Sequence, residues 1–341
     1  MNYKLNVGLI GIGRMGRNYA DYLANRILLT NLLAICDLNE KLMASCAKDF
    51  GVSKCFKNYQ DLIADEEIDA VVIVTSTHSH KEIIVEAAKH GKAIFCEKPL
   101  TLSLKEALEI NQTLTETGVF FHMGFVRRFD KGYAAAKRKI EKGMIGEPVV
   151  FKSSSRDPYR PSLEFLKREM SGGIFVDMGI HDFDIARWFM GDIKSVYSIG
   201  GTLAYPEMEK IGDIDNGITN LTFENNTLGV VDLSRNGVYG YDIRTEILGT
   251  KGTLKIGYLR ETPLLVMTKD GICHDTVPYF MQRFGEAYIT QLQNFAENYL
   301  QGKEPAITYY DGLEALKISL AARLSFDDDQ PVEMKKIHLN D

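Results

Sequence analysis

Leu5-Asn6-Val7-Gly8-Leu9-Ile10-Gly11-Ile12-Gly13-Arg14-Met15-Gly16 carries a short apolar run into Gly-x-Gly-x-x-Gly, and a helical pattern over 17–25 follows. A second apolar run, Leu32 to Cys36, ends in Asp37. Strand, glycine turn, helix, strand and acidic residue, in that order, make a dinucleotide-binding unit. Gly11 permits the tight turn, Gly13 lets backbone approach a pyrophosphate, and Gly16 lets helix and strand pack closely. Ile12, Arg14 and Met15 complete the phosphate-facing segment. The helix N-terminus there offers free N–H groups and about half a positive charge to an anion. Asp37 can accept both ribose hydroxyls of NAD. It would repel a 2′-phosphate by roughly 4 kcal/mol per charge pair at about 4 Å and an effective dielectric near 20. No arginine follows in Leu38-Asn39-Glu40, so the expected cofactor is NAD rather than NADP.

Outward from this turn the alternation of strand and helix continues. Asn39 to Phe50 reads as a helix stopped by Gly51, and Ala70 to Val74 as a buried parallel strand. The polar segment Thr75-Ser76-Thr77-His78-Ser79-His80 then falls at a strand's carboxyl end, where open α/β sheets bind ligands. Thr75, Ser76 and His80 are therefore candidates for the cofactor edge, with helix capping as the alternative for the histidines. After a helix over 81–90, the strand Ala93 to Cys96 ends in Glu97-Lys98-Pro99. A lysine at this edge can face a nicotinamide and stabilise a developing alkoxide. Glu97 is grouped with it on the cofactor side, and the proline locks the backbone where the lysine must be aimed.

A chain of 341 residues suits two domains, expected over 1–126 and 127–341. Beyond an amphipathic helix over 129–142, the pattern changes to period-two strands, as in Thr219-Asn220-Leu221-Thr222-Phe223. Glu224-Asn225-Asn226 and Lys269-Asp270-Gly271 read as hairpin turns, and helices return over 283–300 and 312–326. The fold class is α/β: a doubly wound parallel sheet followed by an α+β domain on a large, mostly antiparallel open sheet. Such a sheet needs covering on its apolar face, so a homo-oligomer is expected, a tetramer first.

Hydrophobic residues make up 45% of the chain and charged residues 25%, as in globular proteins. A net charge of −6 with no long basic cluster argues against nucleic acid. No apolar run reaches the roughly 18–20 residues of a membrane span. The five cysteines form no Cys-x-x-Cys and no zinc-ligand spacing, which points to reduced thiols, a cytoplasmic setting and no metal.

In Gly172-Gly173-Ile174-Phe175-Val176-Asp177-Met178-Gly179-Ile180-His181-Asp182-Phe183-Asp184 the apolar spacing suggests a helix. It would set Asp177 and His181 on one face, a general base with its orienter. Alone, the pair reads first as a helix cap and a core histidine, and the rest of the chain turns the reading toward catalysis. Arg128, Arg156, Asp157, Tyr239 and Tyr241, at predicted strand ends, are candidates for gripping a ligand rich in hydroxyls.

With the glycine turn, Glu97-Lys98-Pro99 and Asp177/His181 in this order, the chain resembles the glucose-fructose oxidoreductase / inositol dehydrogenase / MocA family. It is most similar to the inositol 2-dehydrogenase branch. The segments Gly124 to Asp130, Ser155 to Pro158, Gly172 to Asp184 and Asn236 to Asp242 support this, and the resemblance covers essentially the whole chain. It implies that Lys98, usually followed by a cis proline, is the catalytic lysine and that Asp177 and His181 are the acid/base pair. It implies NAD-dependent oxidation of a secondary hydroxyl of a cyclic polyol, myo- or scyllo-inositol, to the ketone. The alternatives are another sugar or anhydrosugar dehydrogenase of this family, or an NAD-binding regulatory protein without chemistry.

Overall fold

The computed structural model describes residues 4–337. The chain forms two compact units, one running to Phe125 and taking up Tyr288–Leu313, the other holding Val126–Ala287 and resuming at Glu314. The first unit is a parallel sheet of β1 (Leu5–Ile10), β2 (Thr30–Cys36), β3 (Lys54–Phe56), β4 (Ala70–Ile73), β5 (Ala93–Glu97) and β6 (Phe121–Gly124). Their spatial order is β3-β2-β1-β4-β5-β6, all pairs parallel. The direction of winding reverses between β1 and β4, and ligands of such sheets bind at the carboxyl ends there.

The strands are apolar on both faces because helices cover both. Ala70, Val71, Val72 and Ile73 of β4 are all 0% exposed. Burying each larger side chain stabilises by about 1.5–3 kcal/mol. The connecting helices are α1 (Arg14–Asp21), α2 (Glu40–Phe50), α3 (Tyr59–Ala64), α4 (His80–Lys89) and α5 (Leu104–Thr117). Asn39 starts α2 by accepting from the Lys41 and Leu42 amides, and Gly51 ends it in the left-handed region at φ 68°.

The second unit opens with a 3₁₀ turn, Val126–Phe129, and α6 (Lys131–Glu141). Its sheet contains β7 (Pro148–Arg156), β8 (Ile193–Gly201), β9 (Asn216–Phe223), β10 (Leu228–Ser234), β11 (Asp242–Gly249) and β12 (Gly252–Ile256). A separate hairpin pairs β13 (Val266–Thr268) with β14 (Gly271–Cys273), and the short β15 (Val332–Glu333) adds to the large sheet. The order is β12-β11-β7-β10-β9-β8-β15, antiparallel except for β7 beside β10.

Period-two alternation gives this sheet two unlike faces. In β9 Gly217, Thr219, Leu221 and Phe223 are buried while Ile218 and Asn220 are exposed. Short helices α7 (Leu163–Leu166), α8 (Arg168–Ser171) and α9 (Ile174–Asp177) lead to α10 (Ile180–Met190). Helix α10 lies along β7 and β10 and buries Ile180, Phe183, Ile185, Ala186, Phe189 and Met190. The other face exposes Ile199, Ile218, Leu228 and Leu248 beside the ion pairs of Glu246 with Lys152 and Lys255.

The expected division at 126/127 differs from the observed one in its return. Two long helices, α11 (Phe280–Leu300) and α12 (Tyr309–Asp328), each contribute residues to both units. Helical periodicity marks an apolar stripe but not which core each half of that stripe serves, so these later crossings leave no sign in the sequence.

Candidate active site

The glycine turn after β1 is folded on itself. Gly11 has φ +96°, and a Cβ on it would lie 2.8 Å from the Val74 carbonyl group. A Cβ on Gly16 would lie 1.9 Å from the Gly11 carbonyl oxygen, so the tightest neighbour of this glycine is the turn rather than a strand. Gly13 is exposed and a Cβ there would meet nothing within 4 Å. Two glycines thus close the loop and one leaves an open backbone face at the start of α1. Asp37 Oδ2 accepts from the Ile12 amide at 2.6 Å, and its Oδ1 accepts from the Asn39 amide at 2.7 Å. A carboxylate has about four acceptor positions, so each oxygen retains capacity for a ribose hydroxyl. An open glycine cradle, a helix N-terminus and a half-buried carboxylate at the end of β2 fit NAD.

Past β4, Thr75 Oγ1 bonds Ser79 Oγ at 2.8 Å, and Ser76 is exposed. His80, expected at the cofactor edge, is instead 1% exposed. Its Nδ1 lies 2.9 Å from the Pro99 carbonyl and its Nε2 lies 3.2 Å from the Thr75 carbonyl. Burial outweighs both carbonyls and holds this imidazole below its usual pKa. His80 therefore ties the end of β4 to the peptide after Lys98, a positioning job that hydrophobic pattern alone does not reveal.

Lys98 is half-buried at the end of β5, and its bond to Pro99 is cis. The Lys98 amide donates to Glu97 Oε2 at 3.0 Å. Tyr19 Oη donates to Glu97 Oε1, and Gln291 Nε2 donates to Tyr19 Oη at 2.7 Å. Burial pushes the Glu97 carboxyl above its usual pKa and the Tyr19 phenol well above its own. Glu97 thus serves as an anchor for the lysine's backbone; Tyr19 and Gln291 were not among the expected site residues.

In the second unit Asp177 and His181 do not share one regular helix. Asp177 is the last residue of α9 and His181 the second of α10. Met178 and Gly179 between them keep right-handed helical backbone, but the hydrogen bonds slip, with Gly179 N–H bonding the Ile174 carbonyl. The cause is close packing: a Cβ at Gly179 would lie 2.7 Å from the Phe175 carbonyl oxygen and 2.9 Å from Leu233 of β10. Both side chains are half-buried. Arg235 Nη2 donates to Asp177 Oδ2 at 3.1 Å.

The arginines of Arg127-Arg128 are both committed to α10. Arg127 Nη1 donates to Asp182 Oδ1 at 2.7 Å, and Arg128 grips Asp184 through Nε at 3.0 Å and Nη2 at 2.5 Å. The guanidinium of Arg128 also lies over the Trp188 ring, 5.6 Å from its centre. Arg128, expected to grip substrate, is thus a buried strut for the helix that carries His181. The alternating acids Asp182 and Asp184, opposite two adjacent arginines, were the signal for it.

The remaining polar candidates separate by face. Ser153 and Ser155 of β7 turn toward Asp182 of α10, so Arg156 turns to the opposite face, where it pairs with Asp232 and donates to Tyr239 Oη at 3.3 Å. Tyr239 donates to Asp242 Oδ2 at 2.8 Å. Tyr239 and Tyr241 precede β11, and Gly240 between them, at φ +141°, sends their side chains apart. Tyr241 is 8% exposed; burial raises its pKa, the Asp157 charge raises it further, and it feels Arg127 and Asp182 as well. Tyr241 stands edge-on to the Phe284 ring, over which Arg127 also lies, whereas Arg156 and Tyr239 form a separate cluster.

Among the described residues no group of three or more His, Cys, Asp or Glu could hold a metal ion, and no helix is long and apolar enough to cross a membrane. The five cysteines are free thiols.

Comparison with known proteins gives two family matches. Residues 5–125 match the oxidoreductase family's NAD-binding Rossmann fold, and residues 137–334 match its C-terminal alpha/beta domain. The chain is 40% identical to the scyllo-inositol 2-dehydrogenase (NAD(+)) of Bacillus subtilis (strain 168), across 98% of this chain and 97% of that protein. It is 37% identical to the myo-inositol 2-dehydrogenase of Thermotoga maritima, across 98% and 99%. The crystal structure of scyllo-inositol dehydrogenase from Lactobacillus casei with NAD(H) and scyllo-inositol matches with a TM-score of 0.92 at 32% identity, covering 98% of this chain and 100% of that one. The chain belongs to the glucose-fructose oxidoreductase / inositol dehydrogenase / MocA family and is an NAD-dependent oxidoreductase acting on CH–OH groups.

Proposed function

We propose that the protein oxidises a secondary hydroxyl of inositol, in its myo or scyllo form, to the keto-inositol. The observation that carries this reading is full-length similarity to inositol dehydrogenases in a chain that carries Lys98, Asp177 and His181. NAD, when bound, supplies the hydride acceptor. His181 takes the hydroxyl proton, and the neighbouring Asp177 carboxylate makes the imidazole more basic and stabilises the imidazolium. Lys98 stabilises the alkoxide as it develops. Glu97 and His80 hold the backbone on either side of that lysine, while Arg127 and Arg128 brace the helix of His181. Asp157 and Tyr241 supply hydrogen-bonding groups for the ring hydroxyls.

The open face of the large sheet supports assembly into a homo-oligomer, a tetramer in this reading, since a mixed apolar and charged sheet face gains by being covered. Five free thiols fit a cytoplasmic enzyme.

NADH formation over a panel of inositols, glucose, xylose and anhydrosugars tests the assignment. Turnover is expected with an inositol, and His181→Ala should lower kcat by about a hundred- to ten-thousandfold while NAD still binds. Turnover of an aldose or anhydrosugar and of no inositol would replace the substrate. NAD binding without turnover on the whole panel would leave a regulatory protein. Near wild-type kcat in His181→Ala would remove the proton-transfer role.

A further inference from the structure

We infer that Arg235 is a positioning residue for this reaction: a buried guanidinium that keeps Asp177 ionised and aimed, so that the substrate's proton comes to rest on His181 and not on the carboxylate. The inference rests on the roles given to Asp177 and His181 above.

Arg235 directly follows β10 and is 0% exposed. Its backbone N–H is spent on the Asp215 carbonyl at 2.9 Å, which fixes the chain at the foot of the side chain. The guanidinium makes one hydrogen bond, from Nη2 to Asp177; Nε and Nη1 have no hydrogen-bond partner among the described residues. A second carboxylate, Asp213, attracts the same cation without bonding it. Asp213 Oδ1 accepts the Ile174 amide at 3.2 Å, at the start of the helix that ends in Asp177.

Three other buried arginines of this unit behave differently. Arg127 makes two side-chain hydrogen bonds, to Asp182 and Ser155. Arg128 holds Asp184 with two, and Arg283 holds Asp130 with two. A second charge-assisted hydrogen bond helps to offset the desolvation of a buried cation. Arg235 makes one such bond, to the carboxylate four positions before the proposed base, and leaves Nε and Nη1 without a hydrogen-bond partner, where Arg283 leaves Nε. A fixed positive charge there opposes protonation of Asp177 and holds its Oδ2, on the carboxylate to which the reading above gives the orienting role. Without that charge the carboxylate is free to rotate and is easier to protonate, which on that reading weakens its support of His181.

The test is a double-mutant cycle of R235M and D177N, with R235K alongside, read as kcat and KM for the inositol substrate, NAD affinity by fluorescence titration, and thermal melting by circular dichroism. R235M should lower kcat by about ten- to a hundredfold with NAD affinity unchanged, the order expected of a misplaced catalytic group. R235K should recover most of that loss. Adding R235M to D177N should cost less than about threefold more, because residues that act as a unit are not additive. Multiplicative losses in the double variant, or an R235M enzyme that melts normally and turns over normally, would overturn the role of Arg235. If R235M does not fold, R235Q and R235Q/D177N, which also lack the charge, form the same cycle with the same criteria. Wild-type turnover in D177N alone would instead overturn the reading of Asp177 itself.

Discussion

Replacing Asp182 with alanine removes the acceptor on which three side chains converge. Arg127 Nη1 reaches it at 2.7 Å, Ser155 Oγ at 2.8 Å and Ser153 Oγ at 2.5 Å. Arg127 is 3% exposed and Asp182 0%, so water cannot replace what is lost. In Asp182→Ala the guanidinium keeps one serine hydroxyl at 3.1 Å and the Phe284 ring at 5.9 Å. Leaving one member of a buried ion pair uncompensated costs about 3–5 kcal/mol. Set against a total stability of about 5–15 kcal/mol, that is a large share. Asp182→Asn keeps an acceptor and should cost about 1–3 kcal/mol. The double variant Arg127→Met/Asp182→Leu removes both charges and should be more stable than Asp182→Ala, since two apolar groups leave nothing stranded. Urea midpoints from far-ultraviolet circular dichroism measure all four proteins, with kcat recorded below the transition. A loss under about 1 kcal/mol in Asp182→Ala, or a double variant no more stable than that single one, would refute the view that this pair braces the helix of His181 by mutual compensation.

Asp37→Asn should lower kcat/KM for NAD by at least about tenfold and narrow its preference over NADP by about a hundred- to a thousandfold, because charge repulsion disappears while one of the Ile12 and Asn39 amides loses its acceptor; an unchanged NAD to NADP ratio would count against Asp37 as the selector. Burial pushes the Asp215 carboxyl up, but hydrogen bonds from the Leu203, Tyr205 and Ala204 amides and the Asn216 side chain outweigh it and hold its pKa below the usual range. A depressed folded-state pKa stabilises above the unfolded value of about 4, and that contribution fades as pH falls through the folded value. The stability gap between wild type and Asp215→Asn should therefore shrink from pH 7 to about pH 3, and a constant gap would contradict it. Light scattering at micromolar concentration should show a species larger than one chain; monomer alone would mean the open sheet face is not an assembly surface.

The Rossmann half was legible because its signals are local. Gly11, Gly13, Gly16 and Asp37 sit within one strand-turn-helix-strand unit, and turn geometry and helix end leave few other ways to use those residues. The identities of Lys98, Asp177 and His181 came through the resemblance, which reads their order along the chain. What was not legible depends on side-chain direction. Arg156 and Tyr239 fall on the wrong sheet face because β7 places Ser153 and Ser155 toward α10, a register that a run of three serines does not display. Arg128 was read as a ligand for substrate, although Asp184 fifty-six positions later accepts from its Nε and Nη2. The break between Asp177 and His181 comes from Gly179 pressed against Leu233, a contact between distant segments. Arg235 itself lies in Ser234-Arg235-Asn236, where nothing nearby marks it as buried.

The later crossings of the chain bear on how such a protein can be cut or recombined. The nucleotide-binding core does not end at Phe125. Phe295 stands edge-on to Phe95 at 5.7 Å, Gln291 completes the bonding of Tyr19, and the Met123 amide donates to the Ile307 carbonyl at 3.0 Å. A fragment stopped after the last parallel strand would strip the aromatic lid from β5 and the partner from its outermost strand. Modular swapping at that point trades away packing that the first unit borrows from sequence written more than 160 residues later, and exchange of intact genes is the route that keeps this core whole.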